Sequence, residues 1–89
     1  MDVERRNNHL KAQQRAMDLL ENEVPQRVRR SIVHVYRVLD NKAKVPQLPP
    51  DVQENFVDLY NVICWAHKMN KSRLKQLVKC WKVEFENEL

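Results

Sequence analysis

The sequence predicts an all-α fold, a small bundle of three or four helices. Three observations carry that expectation. Apolar residues recur at helical spacing in successive segments. Prolines fall between those segments and not inside them, because Pro lacks the N–H that a helix interior needs. Gly is absent from all 89 residues, and the tight turns of β-hairpins favour Gly.

The first helix is expected over residues 3–23. Val3, Leu10, Met17 and Val24 step by seven, with Ala16, Leu19 and Leu20 beside them. Arg6 and Gln13 take the positions where a coiled coil would want apolar residues. Only the second half then has a convincing apolar face, and residues 1–9 are expected to fray or to order on a partner. The second helix is expected over residues 25–41, opening at Pro25. Val28, Ile32, Val35 and Leu39 lie on one face of it. Its β-branched residues would also suit a strand, but nothing else in the chain could pair with one. Residues 41–50, with Pro46, Pro49 and Pro50, form a Pro-rich loop.

The third helix begins near Asp51, an acid suited to a helix N-terminus. Val52, Phe56, Leu59, Tyr60, Ile63 and Ala66 share one face of it. The fourth covers residues 71–88, with Leu74, Leu77, Val78, Trp81 and Phe85 in a stripe about 100° wide. A turn is expected at residues 69–71, where the apolar face thins and Asn70 can cap the next helix. The alternative is one unbroken C-terminal helix of about 38 residues, about 57 Å long. A chain of 89 residues makes one domain. So small a domain buries only a little over half of its unfolded surface, so a homodimer is expected.

Composition narrows the function. Phosphate-cradling loops, nucleophile elbows and dinucleotide fingerprints all need Gly, so none of them can be present. Cys64 and His67 stand three apart on a helix, and Cys80 lies further on. A structural zinc site needs four ligands, and neither His9 nor His34 recommends itself as the fourth. A Cys–His nucleophile would also need an orienting group and an oxyanion site. A non-enzyme without cofactor or metal is therefore expected. The polar N-terminus has no apolar leader core, and two Cys suggest reduced thiols. An intracellular protein, cytoplasmic or nuclear, is expected. No apolar run approaches the roughly 20 residues needed to span a bilayer.

The net charge is +4 with a pI near 9.3, and its distribution says more than its size. No acidic residue lies between Asp58 and Glu84; acids then return at Glu84, Glu86 and Glu88. Lys71, Lys75, Lys79 and Lys82 fall within about 80° of one helix edge, flanking the apolar stripe. On the second helix Arg30, His34 and Arg37 share a face, with Arg27 close to it. Cations one turn apart can follow a phosphate backbone and release its counterions. The expected function is therefore a nucleic-acid-binding module for duplex RNA or DNA, reading shape more than sequence. Its phosphate contacts would be Arg27, Arg30, Arg37, Lys71, Lys75, Lys79 and Lys82. The plainer alternative is a solvated helix face that keeps a small domain soluble.

A different expectation is a protein-interaction module for an acidic peptide or a partner helix. Trp65 falls near Glu54, Asp58 and Asn61, away from the apolar stripe, and with Val62 and Met69 it could seat a partner. Its plainer role is to pack against the first helix. The segment LKQLVKCWK, Leu74 to Lys82, resembles the last helix of the N-terminal helical bundle of transcription elongation factor S-II. That resemblance spans nine residues and implies docking of disordered peptide motifs in transcription proteins. The Gly-containing turn that precedes the motif in that family has no counterpart here. The expected basic helical dimer is also similar in layout, without a shared motif, to nodaviral silencing suppressors that grip duplex RNA.

Overall fold

The computed structural model describes residues 2–22 and 24–89, with side chains from Arg5 onward. The Val3 side chain and Glu23, both assigned to the first helix above, lie outside the described residues. Five α-helices follow in order: α1 Asp2–Glu21, α2 Gln26–Leu39, α3 Pro50–Glu54, α4 Phe56–Met69 and α5 Lys71–Lys82. Short 3-10 segments cover Val45–Gln47 and Val83–Glu88. Among the described residues there is no strand, and no helix is long and apolar enough to cross a membrane.

The all-α expectation holds, and the helix count is corrected from three or four to five. The predicted third helix is two. At Asn55 the backbone turns to φ −106°, ψ 11°, the bridge region where turns sit, and α4 starts afresh at Phe56. The predicted fourth helix tightens into 3-10 geometry from Val83, with Phe85 at φ −126°. The unbroken C-terminal helix does not form. Asn70 sits at φ −158°, ψ 89°, and its side-chain oxygen accepts from the Arg73 N–H at 3.1 Å. That is the N-cap bond that its sequence position promised.

The end of α2 also explains how a chain without Gly turns a corner. Asn41 takes the left-handed conformation, φ 58°, a role Gly usually fills and Asn can. The Asn41 N–H then donates to the Val38 carbonyl at 3.1 Å, and the Lys42 N–H to the Arg37 carbonyl at 2.7 Å. This pair of bonds is the Schellman closure.

α4 packs on all four other helices, and α2 is the next most embedded. α2 packs on α3, α4 and α5, while α1 packs along α4. Five consecutive residues of α2, Ile32 to Tyr36, are buried. Five residues at 100° each go right round a helix, so this part of α2 is enclosed on all sides and not on one face. Ile32, Val33 and Val35 meet Val52, Ile63, Ala66, Leu74, Val78 and Phe85 in one core, which Ala16, Met17 and Leu20 of α1 complete. Each fully buried Ile or Leu contributes about 1.5–3 kcal/mol. In α1, residues 5–11 are exposed and burial begins in its second half.

Candidate nucleic-acid interface

Contacts at both ends show that α5 and its 3-10 continuation run antiparallel to α2. Lys71 and Lys75 line a cleft with Tyr36, Leu39 and Asp40, whereas Glu84 reaches Arg29. The predicted phosphate contacts are thereby divided between two settings.

In the first setting the cations are occupied. Arg29 makes a two-pronged pair with Glu84: Nε to Oε2 at 3.0 Å and Nη2 to Oε1 at 3.1 Å. Its Nη1 also donates to the Val24 carbonyl. Arg30 donates through Nε to Glu88 Oε1 at 2.7 Å and through Nη1 to Asp51 Oδ2 at 2.8 Å. His34, 6% exposed, sets Nε2 3.3 Å from Glu88 Oε1. The planar guanidinium fork matches carboxylates in this way, which a lysine ammonium does not. Burial pushes the Glu88 carboxyl up, but hydrogen bonds from Arg30 and His34 outweigh it and hold Glu88 below its ordinary range. The hydrogen bond from Arg30 likewise holds Asp51 low. Arg30 thus sits inside an internal clasp and His34 is buried. Their spacing predicts a shared face beside the apolar stripe, and the fold turns both residues to Glu88. Arg27 is exposed next to this clasp, at the first turn of α2.

In the second setting the cations face solvent. Lys71, Lys75, Lys79 and Lys82 are all exposed. None of the four belongs to an ion pair among the described residues. Their Cα atoms span about 16 Å of helix, and Lys79 and Lys82 lie in the last turn of α5, where the helix dipole favours positive charge. Arg73, off this edge, pairs with Glu21 at 2.6 Å. Arg37, half-buried, lies in the last turn of α2, the end to which Lys71 and Lys75 are adjacent. Arg37 thus lies at the end of α2 nearer the lysine edge but does not line the cleft that holds Lys71 and Lys75, and Arg27 and Arg30 lie at the far end of α2.

The partner-binding candidates also separate. Trp65 is half-buried, with His9 of α1 edge-on at 5.5 Å between ring centroids and the Lys68 ammonium 5.3 Å over its ring. It packs against the first helix, the plainer of its two expected roles. Val62 lines an apolar groove of about 300 Å³ with Leu19, Val24, Val28, Ile32 and Leu59. Met69 is exposed at the end of α4. Cys64 is half-buried and Cys80 exposed, and both are free thiols. Among the described residues, no three His, Cys, Asp or Glu side chains converge as a metal would need. The sequence did not single out Arg29. The only signal was the cluster of acids at Glu84–Glu88, which says nothing about where those acids land.

No known protein family, characterised protein or solved structure matches this chain.

Proposed function

We propose that this protein is a non-catalytic nucleic-acid-binding module that contacts the phosphate backbone through the exposed edge of α5. Lys71, Lys75, Lys79 and Lys82 would make the contacts, with Arg37 at one end and Arg27 as an outlying cation. The observation that carries this reading is selective neutralisation. The chain pairs Arg29 and Arg30 of α2 with its own carboxylates and leaves four aligned lysines outside any ion pair among the described residues. Arg30 belongs to the clasp and not to the contact surface. Unpaired lysines at one-turn spacing suit counterion release from a phosphate backbone. The free thiols fit an intracellular, reducing setting.

The test is a titration of the purified chain with duplex RNA and duplex DNA across salt. Four phosphate contacts give a log–log slope near −3.6 on DNA, and a loss of about a hundredfold between 50 and 200 mM salt. Lys75→Glu with Lys79→Glu is expected to abolish binding while leaving the melting temperature unchanged. Parent-like binding by that variant, or no binding by the parent at about 50 mM salt, would sink the proposal.

A second reading has its own observation. The apolar groove between α1, α2 and α4 has exposed Leu19 and Val28 on its lining, and a partner helix or a second copy of this chain could fill it. Leu19→Asp should then remove partner capture, or dimers seen by light scattering, and leave nucleic-acid affinity alone.

A further inference from the structure

Where the last turn of α2 meets the α4–α5 turn lies a cleft of about 290 Å³, lined by Tyr36, Leu39, Asp40, His67, Lys71 and Lys75. This volume is at the low end for ligand sites, which run from about 300 to 1,000 Å³. It suits one backbone unit and not a stacked base pair. Lys71 and Lys75 are the first half of the lysine edge, and the His67 ring adds an N–H donor. Burial, and then the charge of Asp40, push the Tyr36 phenol up. It therefore stays protonated at neutral pH and able to donate.

The anomaly is Asp40. Next to a bound phosphate a carboxylate repels, yet Asp40 is the one acid lining the cleft. A carboxylate only accepts hydrogen bonds, and the donor that a nucleic-acid backbone carries beside its phosphate is the ribose 2′-hydroxyl. We propose that this cleft seats one ribose-phosphate unit, with Lys71, Lys75 and His67 on the phosphate and Asp40 accepting from the 2′-hydroxyl, so that the protein prefers RNA to DNA. The inference rests on the backbone-binding reading and adds a sugar specificity to it.

The experiment is fluorescence anisotropy with a short duplex RNA and the DNA duplex of the same sequence, for the parent, Asp40→Ala, Lys71→Gln with Lys75→Gln, and Lys79→Glu with Lys82→Glu. The parent is expected to favour RNA by about tenfold, the worth of one hydrogen bond to a charged group. Asp40→Ala removes the acceptor, which Asn would keep, and should weaken RNA binding and strengthen DNA binding, collapsing the preference. An acid that merely repels phosphate would instead let both affinities rise together, and that result overturns the inference. The double lysine variant should weaken both by about tenfold. Asp40 is exposed at the C-cap of α2 and forms no ion pair among the described residues, so a thermal melt of Asp40→Ala should match the parent. Nucleic-acid binding that is lost with Lys79→Glu and Lys82→Glu, but has no sugar preference, refutes this site and leaves the backbone reading standing. A parent that binds a phosphorylated peptide and neither duplex refutes both.

Discussion

Arg29 and Arg30, with His34 beside them on α2, and Lys71 to Lys82 on α5 are two runs of basic residues on adjacent antiparallel helices. Spacing alone sets Arg30 and His34, with Arg37 and Arg27, on a stripe equivalent to the lysine edge and does not single out Arg29. In the fold the first run is closed by Glu84, Glu88 and Asp51 at 2.7–3.3 Å, and the second forms no ion pair among the described residues, with Asp40 alone sharing a cleft with Lys71 and Lys75. The difference follows residue chemistry. Arginine holds a carboxylate in a fixed fork and tolerates partial burial, while lysine keeps its hydration as a point charge on a flexible stem. Arginine here joins helices, and lysine is left to face outward.

The largest expected effect comes from reversing charge inside the clasp. Arg30→Glu puts a third carboxylate beside Glu88 and Asp51 and strips buried His34 of a satisfied neighbour. A cost of about 2–3 kcal/mol should lower the melting temperature by about 10 °C or more. Lys75→Glu should shift it by less than about 2 °C. Equal shifts, measured by circular dichroism, would erase the distinction between the two runs.

Next in size is unclasping. Glu84→Gln with Glu88→Gln should cost about 1 kcal/mol, discounted because both carboxylates are more than a third exposed. It should also raise nucleic-acid affinity by about tenfold and steepen the salt slope by one to two, since Arg29 and Arg30 become available. Unchanged affinity would mean that the α2 face is sterically closed and not merely neutralised.

The smallest effect is on acid stability. Glu88 and Asp51 are held low in the fold. Their contribution is complete above the unfolded carboxylate range, about pH 4. It is lost as pH falls through their folded values. Denaturant midpoints should therefore drop between about pH 4 and pH 2 by more in the parent than in Glu88→Gln. The lysine edge should contribute nothing to that difference.

What the sequence reveals follows the range of the interactions. The α5 stripe, the Asn70 cap and the apolar second half of α1 are set by neighbours within a turn or two, and periodicity found them. The clasp joins residues 21 to 58 positions apart, and no local pattern points from Glu88 to Arg30. Enclosure of α2 on all sides was missed for the same reason. Its charged residues suggested an outer face, but Arg29 and Arg30 reach sideways to carboxylates, and His34 is buried against one. The break at Asn55 has only a weak signal, since the apolar spacing continues across it.

The clasp also has an order in time. Glu84 and Glu88 lie downstream of everything they hold, so a chain made from its N-terminus builds α2 with its arginines bare. Closing a loop of this length costs entropy that the pairs regain only once the helices between them are docked. Contacts of such separation form late in folding. Until then the nascent protein presents more free cation than the finished one, and polyanions would compete with Glu84 and Glu88 for Arg29 and Arg30.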